Sequence, residues 1–349
     1  MIINTNELTK DDSKILKGIA ILFMLGLHLY NRTEINSFYT PLIYVRGYPL
    51  IYYISFLFDA CVPIYCFCSG YAAYIQKEKS KKYKINRIIK LMCNYWIVLL
   101  LTCFVGFILG NPDIPKNILS FILNAFLIST SYVGAWWFMQ TYVLLTFTNS
   151  FLIKCVDNFK WYVNLVVIFM IYVIAYYFRM MHVIHTQYYI LNIFINMLVL
   201  YGTSLFPYVV GIIFRKYNII SMIRKRFKKH NTFIGIVIIA MCLIIHIIIK
   251  SMIVAPFTGI LFIIGFSLLN LNGTIKEILL FFGKHSTNMW LVHMQFYMIF
   301  FKEIVFCTDT VLGCFIILIV LCLISSYFIF FIMKQLAYFK NYILIKRTI

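Results

Sequence analysis

Apolar runs of about twenty residues follow one another along the whole chain, separated only by short polar stretches. A helix needs about 20 apolar residues to cross the hydrocarbon core of a bilayer. Only helices and closed barrels satisfy their backbone polar groups there, and these run lengths select helices. Ten spans are expected, at 15–31, 50–76, 88–109, 132–153, 161–179, 190–214, 233–250, 253–270, 285–302 and 311–334. The expected fold class is therefore all-α, a polytopic membrane protein of about ten transmembrane helices in one bundle. No stretch between spans is long enough for a separate extramembrane domain, so residues 1–349 read as a single integral-membrane domain. Composition points the same way. The chain is 63% hydrophobic and only 12% charged, whereas soluble domains carry about 25% charged residues.

The net charge of +20 does not call for nucleic acid, because the cations cluster between spans. One cluster runs from Lys77 to Lys90 and another from Arg215 to Lys229. With ten spans and a cytoplasmic N-terminus, both clusters, Lys154, Lys160, Lys276, Lys284 and the tail with Lys346 and Arg347 fall on the cytoplasmic side. That is the distribution the positive-inside rule and anionic lipid produce. Both termini are then cytoplasmic and the partner surface is the lipid bilayer of the cell membrane. The opposite loops hold few cations: Arg32, Arg46, Lys116, Arg179, Lys250 and Lys302. An eleventh span at Ile118–Ile128 would reverse the second cluster. That segment is also too short to cross, so it reads as a short external or re-entrant helix. No small-residue cleavage site follows the first apolar run, which reads as a retained span. The ten cysteines are scattered and lack paired CxxC spacing; they read as small buried residues, and no metal site is expected.

Ionisable groups inside spans carry the functional signal. Ser13–Tyr30 has a basic entry and one histidine, His28, near its far end. Lys17 and His28 are eleven residues apart, three helical turns plus about 20°, so they share one face about 16 Å apart along the axis. Of the eleven acidic residues only Asp59 falls within a span, where an unpaired acid is costly. A histidine oriented by a carboxylate can act as general base on a hydroxyl acceptor, and His28 and Asp59 are the candidates. His246, in a very apolar run, reads as structural; His293 is intermediate.

Five segments in order resemble the acyltransferase-3 family of membrane acyltransferases. KGIAILFMLGLH (Lys17–His28) is similar to its first-span motif, a basic residue followed by a histidine. VPIYCFCSGY (Val62–Tyr71) resembles its second-span pattern, with Ser69 and Gly70 in register. NRIIKLMCNYW (Asn86–Trp96) resembles its Arg-x-x-Arg entry to span 3, with Lys90 in the second basic place. Lysine keeps the charge there and loses the bidentate fork. GAWWFM (Gly134–Met139) and GKHSTNMWLVH (Gly283–His293) resemble two later motifs, Trp290 replacing a tyrosine in the last.

The resemblance implies acyl transfer from a cytoplasmic donor, typically acetyl-CoA, to a hydroxyl of a carbohydrate or lipid-linked glycan of the bacterial cell envelope. It carries catalysis to His28 with Lys17 as its basic partner, and donor binding to Arg87 and Lys90. Ser69 and Gly70 near the donor, and Trp137 and His293 near the acceptor, carry over as motif positions. The alternative is a polysaccharide flippase or polymerase, or a small-solute transporter, which would show broken helices and paired charges near the midplane. Acceptor selectivity is expected from the loops Asn31–Pro49 and Asn111–Gly134, whose tyrosines suit either sugar rings or the membrane interface.

Overall fold

The computed structural model describes residues 7–35, 38–181, 186–227, 231–271 and 273–346. Lys228, Lys229, Arg347 and the side chain of Lys346, counted above among the orienting cations, lie outside the described residues. Among the described residues the only strands form one short hairpin, Tyr44–Val45 with Tyr48–Pro49, and the architecture is all-α. Arg46 and Gly47 make its turn with φ of 50° and 82°, the left-handed backbone a two-residue hairpin needs.

Among the described residues seven helices are long and apolar enough to cross a membrane: Lys10–Tyr30, Leu50–Ile75, Lys81–Ile108, Trp161–Met181, Ile190–Lys216, Asn231–Ile248 and Val311–Tyr338. The other three expected spans fall on helices that do not reach this measure. Met252–Ser267 is short. Trp137–Asn158 carries Gln140, Thr141, Thr146, Thr148 and Asn149, and Gly273–Met294 carries Lys276, Glu277, Lys284 and His285. Ile118–Ala125 is a separate short helix, as its length requires.

Contacts divide the chain into two compact units. The first comprises Met1–Asn36, Pro41–Ser80 and Trp136–Ser286; the second comprises Ser37–Thr40, Lys81–Ala135 and Thr287–Ile349.

The first unit begins with α1 (Lys10–Tyr30), opened by a reciprocal capping box between Thr9 and Asp12 that satisfies two orphan N–H groups of its first turn. The next span is interrupted. It runs as α2 (Leu50–Ser55), a 3-10 turn (Phe56–Ala60) and α3 (Cys61–Ile75). Pro63 accounts for the break: it has no N–H to offer the Asp59 carbonyl four residues earlier, and its ring crowds that turn. α4 (Lys81–Ile108) and α5 (Ile118–Ala125) belong to the second unit. The first unit resumes with α6 (Trp137–Asn158), α7 (Trp161–Met181), α8 (Tyr189–Lys216), α9 (Ile219–Arg226), α10 (Asn231–Ile248) and α11 (Ala255–Ser267). α3, α6 and α7 all pack on α8, and α1 lies against α3 and the 3-10 turn.

Lipid supplies no hydrophobic drive between helices, so association relies on close approach at small residues. Two crossings show this. A Cβ on Gly70 would lie 1.9 Å from the Tyr208 carbonyl oxygen, and one on Gly211 would lie 2.3 Å from that of Phe67; these set α3 against α8. A Cβ on Gly18 would lie 2.2 Å from the Leu279 carbonyl oxygen, and one on Gly283 would lie 2.1 Å from that of Lys14. These set α1 against α12 (Gly273–Met294).

A polar clamp closes the end of this unit where α1 begins. The buried Glu7 carboxylate accepts from the Tyr71 hydroxyl and from Ser221 N–H at 2.9 Å, and pairs with Arg215 at 3.7 Å. Arg224 donates to the carbonyls of Glu7 and Ser267 at 3.1 and 2.7 Å and pairs with Asp12 at 3.6 Å. Arg215 and Arg224, expected as orienting cations, therefore also tie α8 and α9 to the N-terminal segment.

In the second unit α4 packs against α14 (Val311–Lys346), and α13 (Lys302–Val305) against α14. α5 is pinned to α4: the Tyr95 hydroxyl donates to the Asn124 carbonyl at 2.7 Å, and Trp96 Nε1–H to that of Ala125 at 2.8 Å. Asn124 in turn holds Ser131 and the Tyr132 N–H. The Tyr-Trp pair of the third motif thus satisfies the end of the short helix.

The α1–α12 crossing makes a stability prediction. Gly18→Ala places a methyl group against main chain and should cost about 1–3 kcal/mol, the usual scale of overpacking. Gly134→Ala, whose added atom meets nothing closer than 3.8 Å, should cost little. Thermal unfolding of the purified protein in detergent checks this; equal stability of the two variants would refute the tight crossing.

Candidate functional site

The first unit brings three of the sequence motifs to one place. Lys17 is half-buried on α1, facing α3. Tyr65 of α3 donates its hydroxyl hydrogen to the Lys17 carbonyl at 3.3 Å, and Ser286 of α12, near Tyr65, gives its own to the Gly283 carbonyl at 3.0 Å. The Lys17 ammonium lies within electrostatic reach of the buried Cys68 thiol. Ser69, one turn beyond Tyr65, returns its hydroxyl to the Tyr65 carbonyl at 2.7 Å. Gly70 faces the Tyr208 backbone, and this helix contact accounts for its place in the motif. Tyr65 and Ser286 were not singled out from sequence, although both lie inside the motif segments, and Tyr65 sits one helical turn before Ser69.

Three turns along α1, His28 is half-buried, and the Arg32 guanidinium donates to its carbonyl at 2.9 Å. Arg32 satisfies an orphan carbonyl of the last turn. A polar cleft of about 430 Å³ opens there, lined by Asn31, Arg32, Thr33, Glu34 and Tyr52. Asn31 donates to the Ser55 hydroxyl at 3.1 Å, and Ser55 donates to the Tyr52 carbonyl at 2.6 Å, so the α1 terminus and α2 are tied across it. Tyr52 stands in an aromatic run with Tyr48 and Phe56, ring centroids 5.5 and 4.9 Å away.

Asp59 lies in the 3-10 turn and is only 5% exposed. The ring of Phe58 beside it packs against Gly26 and Phe23 of α1. The charge that reaches Asp59 comes from Arg179 of α7, without a direct ion pair. Oδ1 of Asp59 has no hydrogen-bond partner among the described residues. Arg179 also lies over the half-buried Trp137 ring, 5.6 Å from its centroid. Arg179 thus contacts Trp137 and lies within electrostatic reach of Asp59. This corrects the expectation that Arg179 is a loop cation. α7 continues to Met181 and carries Arg179 within its last turn, half-buried. The local signal was an arginine ending a long apolar run.

His246 reads as expected for a structural residue: fully buried, with Nε2 2.6 Å from the Thr258 hydroxyl, it joins α10 to α11.

The second unit holds Arg87, Lys90 and His293. Arg87 and Lys90 are exposed near the start of α4, three residues apart and hence neighbours on its surface. Further along α4, Asn94 donates to Asn288 at 2.6 Å, and Thr102 accepts from Gln295 at 2.7 Å, so a polar line from α4 meets one on the other side. His293 is fully buried; its Nδ1 lies 2.6 Å from the Trp290 carbonyl and its ring stacks on Tyr297 at 6.0 Å. The helix widens to a π-turn at Gln295–Ile299 directly after it, a distortion frequent at functional sites. Met294 accepts from the Ala135 N–H at 3.1 Å, which joins the fourth motif to the end of the fifth. Among the described residues no group of three or more His, Cys, Asp or Glu side chains could hold a metal ion.

No curated protein and no solved structure gives a significant match to this chain. A family model does: that of the acyltransferase domain Acyl_transf_3 matches residues 11–332, nearly the whole sequence and all five motif segments. With a basic residue and a histidine on one face of α1, with Tyr65 of α3 bonded to the Lys17 carbonyl and Gly283 of α12 set against α1, the chain belongs to the acyltransferase-3 family and is a multi-pass membrane acyltransferase.

Proposed function

We propose that the protein moves an acetyl group from cytoplasmic acetyl-CoA to a hydroxyl of a cell-surface polysaccharide or its lipid-linked precursor, with His28 as general base. The observation that carries this reading is α1 itself. It holds Lys17 at one level and His28 about 16 Å further along the same face, with a polar cleft at the His28 end. With both termini in the cytoplasm, as the basic loops suggest, Lys17 lies toward the donor and the cleft toward the acceptor.

In the proposed reaction the acceptor hydroxyl gives its proton to the His28 imidazole as its oxygen attacks the thioester carbonyl. The carbon–sulfur bond breaks, CoA leaves as the thiolate, and the imidazolium returns the proton to that sulfur. The products are the O-acetyl ester and free CoA. The donor's phosphates are held by cations, a role for which Arg87 and Lys90 stand exposed and adjacent at the entry to α4. Lys17 stabilises charge nearer the thioester arm.

A second reading has one observation in its favour. The interrupted Leu50–Ile75 span, with a buried Asp59 in electrostatic reach of Arg179, has the broken helix expected of a glycan flippase or a transporter, without the closed charge pair. The two readings separate on a single assay. In membrane vesicles supplied with labelled acetyl-CoA, His28→Ala should reduce transfer to glycan about 10²- to 10⁴-fold, the range for loss of a general base, with insertion unchanged. Transfer that survives His28→Ala would favour the transport reading. Arg87→Ala combined with Lys90→Ala should raise the donor KM about tenfold, equivalent to about 1.4 kcal/mol of lost phosphate contact, with a smaller effect on kcat. An unchanged donor KM would remove these residues from the donor site.

A further inference from the structure

Two charged groups in the first unit lack the partners that a membrane interior demands. Asp59 is 5% exposed and its Oδ1 has no hydrogen-bond partner among the described residues. Arg179 carries five N–H donors and makes no hydrogen bond among the described residues; its close contact is the Trp137 ring at 5.6 Å. Arginine and carboxylate ordinarily close into a bidentate pair. These two act on each other through space and stay apart. Thr141, one turn after Trp137 on α6, adds to the pattern. Thr146 and Thr148 return their hydroxyls to carbonyls four residues back, whereas Thr141 is fully buried with Oγ1 unpartnered among the described residues. Buried polar groups are nearly always satisfied, and exceptions call for an explanation.

We propose that Trp137, Arg179 and Asp59 form a binding subsite for a neutral, hydroxyl-rich group, a sugar unit of the acceptor. One hydroxyl oxygen accepts from the Arg179 guanidinium, another hydroxyl donates to Asp59 Oδ1, and the indole flanks the C–H face of the ring. The group is neutral because an anion drawn to Arg179 would meet the carboxyl oxygens of the buried Asp59. Sugar hydroxyls both donate and accept, which is what an unpaired arginine beside an unpaired carboxylate requires. Arg179 is thereby a specificity-determining residue. The identity of the sugar as an acyl acceptor rests on the function proposed above; the subsite itself rests on these side chains.

The test is a binding titration on the purified full chain in detergent, read by tryptophan fluorescence, with Trp137→Phe identifying the signal that comes from residue 137. The probes are methyl glucoside, methyl galactoside and methyl N-acetylglucosaminide, against glucuronate and inorganic phosphate. At least one neutral glycoside should give saturable quenching, at least tenfold tighter than either anion. Arg179→Gln should weaken it at least tenfold. Arg179→Lys, which keeps the charge and loses the fork, should weaken it at least threefold, and it serves if the Gln variant is not recovered folded. The proposal is overturned if none of the three glycosides binds saturably, if glucuronate or phosphate binds as tightly, or if the recovered Arg179 variant binds like wild type. Glycoside binding without acyl transfer in vesicles would retire the acceptor reading and leave the subsite. Transfer without glycoside binding would do the reverse.

Discussion

Close backbone contact between helices is the constraint on which the rest of this structure depends. In lipid an apolar side chain gains nothing by leaving its solvent for another helix, so packing must come from approach distances that only small residues allow. Gly18 against Leu279 and Gly283 against Lys14 bring α1 and α12 together backbone to backbone. Gly70 and Gly211 do the same for α3 and α8. With the helices that close, the Tyr65 hydroxyl of α3 reaches the Lys17 carbonyl of α1. Three of these four glycines belong to motif segments. The motifs therefore record helix crossings as much as chemistry, and the chemistry of Lys17 and His28 is held by those crossings.

Polar groups buried in the first unit fall into two kinds. Glu7, Tyr71, Ser221 and Arg224 satisfy one another and fasten the N-terminal segment. A carboxylate buried this way is stabilising only because several donors converge on it. Asp59 and Arg179 are the other kind, each near the other's charge and neither closed into a hydrogen-bonded pair. A structural salt bridge would look like the first kind.

The helices were legible in the sequence because a bilayer sets one length scale, and every expected span overlaps helix, although 50–76 is interrupted and 285–302 begins midway along α12 and runs through the π-turn into α13. Less legible was which of them suffice to cross: Trp137–Asn158 and Gly273–Met294 carry polar residues that lower their apolar character. Lys17 and His28 were legible because helical periodicity alone puts them on one face. Asp59 was visible as an acid within a span, but its break from regular helix depends on Pro63 four residues later. The tertiary roles of Arg179, counted with the loop cations, and of Glu7, in the N-terminal segment, have no local sign. The reason is physical: the partners of Glu7 lie 64, 214 and 217 residues away, and Arg179 answers Asp59 and Trp137 from other helices. No local pattern encodes such meetings.

Acyl transfer to a surface glycan is the central claim, and the acetate content of that glycan tests it most directly. Proton NMR of polysaccharide purified from a strain lacking the protein should show the loss of O-acetyl resonances, and re-expression of the wild-type chain should restore them. The resonance that returns would identify the acceptor hydroxyl. Unchanged O-acetyl content in the deletion strain, with a fall in total polysaccharide yield, would contradict the account and point to export of the glycan instead.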